Sequence, residues 1–180
     1  MIRFARQKDE AEPIIDISMS GEFPFSMLSF DFQHGHIPVP GLSGMFSESV
    51  TGALEGLRLV GRRGHPGKVN FGYFVGPGRE RPIRTGYWAT GYSYRGRCIE
   101  LPEARRRILI PAYLWVLSHK AGPALTKVRK QSEQHDVWVW DGYASCDMQA
   151  PERLSAAATL AAYLSGQLQQ LQDGWPIFAQ

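Results

Sequence analysis

Between Ser47 and Val60 the chain places Val50, Leu54 and Leu57 at i, i+4 and i+7, the spacing of one helix face, and this predicts a helix over residues 49–60. Thr51, Glu55 and Arg58 repeat the spacing one residue later, about 100° round the axis, so a polar stripe borders the apolar one. A carboxylate and a guanidinium at such an edge either line a cleft, where partial desolvation strengthens their hold on a polar ligand, or form an ordinary i, i+3 ion pair on a solvated face.

The same reading assigns the other elements. Residues 13–18 form an early strand, 25–40 a loop with Gly35, Pro38 and Pro40, and 71–75 a short aromatic strand broken by Gly76-Pro-Gly78. Residues 85–100 are rich in Gly, Tyr and Arg without a clear period. Pro102, Pro111 and Pro123 suit first turns of helices better than their middles, which predicts three short helices. Val137 to Trp140 is the strongest strand, ended by Asp141-Gly142, and at least one of Trp138 and Trp140 is assigned to the core. A last helix starts near Pro151, carries Leu154, Ala157, Ala161, Leu164, Leu168 and Leu171 at core spacing, and ends at Asp173-Gly174. Together these predict an α+β fold, helix-rich with a small sheet, as a single domain over residues 1–180.

Composition narrows the class. An apolar fraction of 43% in 180 residues supports a packed core. No apolar run approaches the roughly 18 residues of a membrane span, and the N-terminus has no apolar signal-like stretch, so a cytoplasmic protein is expected. Cys98 and Cys146 have no CxxC spacing and are expected as free thiols. The net charge is +3, but Arg62, Arg63, His65, Lys68, Arg79, Arg81, Arg84, Arg95 and Arg97 are interleaved with Tyr73, Phe74, Tyr87, Trp88, Tyr92 and Tyr94. That suits phosphate binding with ring stacking, and equally an ordinary surface whose strands turn aromatics inward and arginines outward.

Several motifs fail on spacing. Gly61 to Lys68 fails as a phosphate loop because Arg62 stands where its first glycine is required and Val69 where its hydroxyl is, and Gly76-Pro-Gly78 lacks the third glycine of a dinucleotide fingerprint, position 81 being Arg. His34-Gly-His36 could offer two imidazoles to a metal, with Asp31, His65 or His119 beside them, but no second paired motif accompanies it, and no metal is expected. What remains is acids near aromatics: Glu55, Trp88 and Tyr92, and Asp136, Trp138, Trp140 and Asp141 around the late strand. A carboxylate beside a stacked ring is the minimum equipment for cleaving an N-glycosidic bond, since the acid holds water or a sugar hydroxyl while charge grows on the ribosyl carbon.

The order Phe25-Ser-Met-Leu-Ser-Phe30, Ile37-Pro-Val-Pro40 and Ser49-Val-Thr-Gly-Ala-Leu-Glu-Gly-Leu-Arg58 resembles the opening of the NADAR fold, the YbiA-like proteins. That family's helix carries Glu, then Gln four on and Lys seven on, at positions that correspond to Thr51, Glu55 and Arg58. Residues 101–120 resemble its middle helices, and residues 136–142 its Asp…Trp-Gly segment. More of the chain resembles a bacterial and phage group, DUF6939, through Ser29-Phe-Asp-Phe-Gln-His-Gly-His-Ile-Pro-Val-Pro40 and Tyr163-Leu-Ser-Gly166 with Trp175-Pro176.

NADAR proteins are associated with N-glycoside hydrolysis, so the resemblance implies an N-glycosidase acting on a modified nucleobase, nucleotide or ADP-ribosyl adduct. Glu55, Asp141 and Asp136 are the candidate acid/base groups. Ser29, Phe30, His34, Thr51, Arg58, Arg84, Trp88, Tyr92 and Trp138 are the candidate substrate-binding residues, with arginine on phosphate and Trp88 or Trp138 on the base. No cofactor is expected. The partner is a nucleotide or nucleobase-containing ligand, with DNA or RNA as its polymeric form, and no membrane. The family's Glu falls on Thr51, whose hydroxyl is no general base at neutral pH without activation. That departure favours the alternative, a non-catalytic nucleotide- or nucleic-acid-binding accessory protein of bacteria or phage, acting in counter-defence.

Overall fold

The computed structural model describes residues 1–9 and 13–168. The elements mix helices with small sheets, so the α+β class holds. The chain packs as two compact units, one of residues 1–29 with 117–180 and the other of residues 30–116.

The first unit is built on a three-stranded parallel sheet. Its strands are β1 (Ile2–Phe4), β2 (Ile14–Asp16) and, in the centre, a late strand from the far end of the chain, Val137–Trp140. Val137 and Val139 face the core, while Trp138 and Trp140, two residues apart, share the opposite, half-exposed face. Neither tryptophan is in the core; Arg3 lies over Trp138 and Lys8 over Trp140.

In the second unit a two-stranded ribbon, β3 (Ile37–Pro38) with β4 (Phe46–Ser47), leads into α1 (Val50–Leu57). Ser49 caps α1, its hydroxyl accepting from the Gly52 N–H. The helix ends at Leu57 rather than running to residue 60. Arg58 turns extended and the chain continues directly as β5 (Arg58–Arg62), because pairing with β6 (Tyr87–Tyr94) competes with another helical turn. β7 (Arg97–Ile99) completes an antiparallel sheet in the order β5-β6-β7.

Residues 71–75 are a 3₁₀ turn, Phe71–Phe74, and not a strand. The Asn70 side chain accepts from the Gly72 N–H, and this local bond outweighs the aromatic strand preference. The turn packs against α1 at two glycines: a Cβ on Gly52 would stand 2.5 Å from the Tyr73 carbonyl oxygen, and one on Gly56 2.2 Å from the Phe74 ring. The period-free stretch at 85–100 is the β6–β7 hairpin, closed by Arg95 and Gly96, both at positive φ, the combination a two-residue type I′ turn needs.

The three predicted helices are two. α2 (Leu101–Ala104) passes through a π-helical turn, Arg105–Leu109, straight into α3 (Ile110–His119), and α4 is Gly122–Gln134. Ile110 N–H reaches back five residues to the Arg105 carbonyl. The widened turn carries the chain past Pro111, which has no N–H of its own to give. The late strand Val137–Trp140, here β8, is followed by α5 (Ala156–Leu164), which begins five residues after Pro151 because Ser155 is its cap. It closes with Gly166 at positive φ, where Gly166 N–H bonds the Tyr163 carbonyl and Gln167 N–H the Ala162 carbonyl. Leu171, Asp173-Gly174 and Trp175-Pro176 lie outside the described residues.

Candidate functional site

The second unit gathers polar groups at the end of α1. All eight residues of that helix are buried, Thr51 and Glu55 included, so the polar stripe does not border the core but enters it. Glu55 is 4% exposed. Its Oε2 accepts from Arg58 Nη1 at 3.1 Å and from the backbone N–H of Arg81 at 2.9 Å. Its Oε1 accepts no hydrogen bond among the described residues. Arg58 Nε is buried and likewise has no hydrogen-bond partner among them. A buried donor left unmet costs about 1–3 kcal/mol, so the carboxylate and the guanidinium each keep hydrogen-bonding capacity that the described residues do not use.

Three further groups complete the arrangement. Arg81 Nη1 donates to the carbonyls of Arg58 and Lys68, at 2.8 and 3.1 Å, fixing the 79–84 segment across the start of β5. Tyr92 is buried on β6 directly opposite Arg58 in the strand register. Burial and the charge of Glu55 push its phenol up to about 12, so it stays protonated at neutral pH and is available as a donor. Burial is the largest single influence on Arg58 and works against its charge, but Glu55, Tyr92 and Glu80 together outweigh it and hold the guanidinium above its ordinary value. One turn earlier, Thr51 Oγ1 donates to Asp31 Oδ1 at 2.5 Å, and Gly78 N–H donates to the Asp31 carbonyl.

Thr51, Glu55, Arg58 and Tyr92 are therefore brought together. Arg84 and Trp88 are exposed at the other end of β6, while Phe30 is packing, edge-on to Tyr113. His34 has its ring against Phe32 and its N–H on the Glu48 carbonyl. Among the described residues no group of three or more His, Cys, Asp or Glu is placed to hold a metal ion. Asp31 and Arg81 emerge from the structure. Asp31 had a signal, as a lone carboxylate in a loop of aromatics and histidines, whereas Arg81 acts through its backbone N–H and leaves none.

Ser29, Asp136, Trp138 and Asp141 fall in the first unit. Ser29 is buried. Asp136 is exposed and ion-paired with the N-terminal ammonium at 2.9 Å and with Arg3 at 3.1 Å, which hold its carboxyl below the usual range. Asp141 fastens the start of α5. Its Oδ2 accepts from the N–H groups of Ala156 and Ala157, and its Oδ1 from Ser155 Oγ and the Tyr143 N–H. Burial outweighs those bonds and raises its carboxyl above the usual value.

The arginine-aromatic interleaving is largely satisfied within the chain. Arg62 lies over Tyr87, Arg79 over Tyr73, and Arg95 and Arg107 over Tyr94. Trp88 stands apart from these pairs.

Fold and site together define an α+β protein with a buried Glu55 paired to a half-buried Arg58 at the junction of a helix and a strand. The model of a family of unknown function, DUF6939, matches residues 3–161, and the chain belongs to that family. No curated protein and no solved structure matches it. Among the described residues no helix is long and apolar enough to cross a membrane.

Proposed function

We propose that the chain is an N-glycoside hydrolase acting on a modified nucleobase, nucleotide or ADP-ribosyl adduct, with Glu55 as the group that activates water. The observation that carries this reading is the divided carboxylate, one oxygen fixed by Arg58 and the Arg81 N–H, the other free of protein donors among the described residues. Fixing one oxygen orients the second without consuming it.

In the reaction a water oxygen bonds to the ribosyl carbon as the C–N bond breaks. The bond's electron pair leaves with the base; Glu55 takes the proton that water loses, and that proton passes on to the departing base, so Glu55 ends as it began. Positive charge growing on the sugar is stabilised by the nearby carboxylate. Arg58 Nε and the protonated phenol of Tyr92 are donors for the oxygens of a sugar or phosphate. The resemblance of α1 to the NADAR helix supports the same reading. Thr51 stands where that family has Glu, and the bond from Thr51 to Asp31 brings a second carboxylate to that turn of the helix.

The test incubates the purified protein with ADP-ribosylated bases, NAD, flavin-pathway intermediates and short DNA and RNA, and follows released base by mass spectrometry beside Glu55→Gln. Base release that the variant abolishes supports the proposal and names the substrate class. Full release by the variant removes Glu55 from the chemistry. No release from any substrate favours the non-catalytic binding alternative.

A further inference from the structure

The polar stripe of α1 meets a second acid. Thr51 is 4% exposed, and its hydroxyl donates to Oδ1 of Asp31, a half-buried residue in the loop before β3. Glu55 lies one turn further along the same face of α1, and side chains four residues apart on a helix stand about 5–6 Å from one another at their Cβ atoms. Asp31 and Glu55 therefore reach the same stretch of α1, with Arg58, 21% exposed, at its end.

One short segment fixes both acids. Gly78 N–H donates to the Asp31 carbonyl, and a Cβ on Gly78 would stand 2.5 Å from the Asp31 Cα, so the two backbones are in contact. Three residues later, Arg81 N–H donates to Glu55 Oε2. Holding a side chain by its surroundings in this way is what a binding site needs in order to read the geometry of a ligand.

A carboxylate at this place is more than the fold requires. The Thr51 hydroxyl calls for one acceptor, and a backbone carbonyl or an amide would serve it without bringing a second negative charge near Glu55. Like charges so placed disfavour each other. A carboxylate accepts about four hydrogen bonds through its two oxygens, so the bond from Thr51 orients Asp31 without using it up. Two acids near one another repel a phosphate and suit the hydroxyl groups of a sugar.

We infer that Asp31 determines which sugar the site takes: it accepts from the 2′-hydroxyl of a ribosyl group whose anomeric carbon lies against Glu55, so that ribosides bind and 2′-deoxyribosides do not. The inference rests on the hydrolase reading for the place of the anomeric carbon, and goes beyond it in naming the sugar. The 2′-oxygen sits on the carbon next to the one attacked, which matches an acid one helical turn from Glu55. An acceptor shielded from water and left without its hydroxyl is what makes such a site reject the analogue that lacks it. Thr51 has a positioning role, holding Asp31 in place.

The experiment is a calorimetric titration of the full chain with ribose 5-phosphate, 2-deoxyribose 5-phosphate and arabinose 5-phosphate, the last with its 2-hydroxyl on the opposite face of the ring. Expected is binding of ribose 5-phosphate, with the other two weaker by about 10- to 150-fold, the loss of one hydrogen bond to a charged acceptor. Asp31→Ala should bring ribose 5-phosphate down to the level of the deoxy sugar and leave the deoxy sugar unchanged. Thr51→Val should lose part of the preference and Thr51→Ser keep it. Circular dichroism checks the fold of each variant, and the ratio between the two sugars is a readout that a merely structural Asp31 would not move. The inference is overturned if ribose 5-phosphate does not bind at millimolar concentration, if the parent binds the deoxy sugar as tightly, or if Asp31→Ala keeps the preference. Base release reads the other proposal. A chain that prefers ribose yet releases no base loses the chemistry and keeps the sugar site, whereas one that releases base equally from ribosides and 2′-deoxyribosides keeps the chemistry and loses this inference.

Discussion

Arg58 and Arg81 hold each other through their backbones: Arg81 Nη1 donates to the Arg58 carbonyl at 2.8 Å, and Arg58 Nη1 reaches the Arg81 carbonyl at 3.5 Å. Glu55 closes the exchange by accepting from both residues. A segment 23 residues downstream is thereby tied to the point where α1 becomes β5.

Removing the charge of Glu55 should cost stability as well as activity. Glu55→Gln can still accept from the Arg81 N–H but leaves Arg58, 21% exposed, with a weaker partner. A loss of about 1–3 kcal/mol is expected, below that for a fully buried pair. Urea unfolding of the variant checks this, and an unchanged midpoint would mean that the pair is held for chemistry alone.

Tyr92 should make the protein sensitive to strong alkali. Its folded pKa of about 12 exceeds the ordinary 10.0, so the folded state keeps this proton when the unfolded chain has released it. The contribution is intact below pH 10 and is lost as pH rises from 10 to about 12. In an ultraviolet titration of tyrosinate Tyr92 should ionise late, and Tyr92→Phe should delete that late step. A titration in which the variant loses an early step instead would contradict the assignment.

Gly56→Ala should destabilise, although alanine is the better helix former. The added Cβ would meet the Phe74 ring at 2.2 Å, and overpacking of this kind costs about 1–3 kcal/mol against a propensity gain of about 1. Gly122→Ala, in the first turn of α4 with nothing within 4 Å, is the control and should be neutral or slightly stabilising. Thermal unfolding of both compares them directly, and equal shifts would deny the close approach of the 71–74 turn.

Asp141→Asn should loosen α5. The carboxylate serves four donors at the start of that helix, and the amide turns its own N–H₂ toward some of them. About 2–4 kcal/mol is expected from the weakening of charge-assisted bonds. Hydrogen exchange should speed first at the amides of Ala156 and Ala157, and protection there equal to the parent's would refute the cap.

How much of this is legible in the sequence depends on how local each cause is. The apolar period of α1, the Ser49 cap and the strand Val137–Trp140 are encoded within a few residues, and the sequence predicts the helix and the strand. The end of α1 is not local: Arg58 leaves the helix because β6, some thirty residues on, offers pairing. The Arg95-Gly96 turn is a hairpin signal hidden by the density of Tyr and Arg around it. Pro111 escapes the rule for interior prolines only because a π turn precedes it. Glu55 and Arg58 stand out by their spacing. Arg81 and Asp31 do not, because one acts through its backbone and the other through a tertiary bond to Thr51. Asp141 is visible as an acid near tryptophans, yet its work is set by Ser155, 14 residues later.

In the parallel sheet β1 and β2 do not touch each other; each is bonded to β8 alone. As the chain leaves a ribosome these two strands are therefore adhesive edges with no mate until residue 140 emerges, whereas the strands and helix of residues 30–116 find their partners among themselves. Closing a loop of that length is slow and exposes strand edges meanwhile. A chain cut between Asp16 and Val137 would keep both edge strands and lose the strand that joins them.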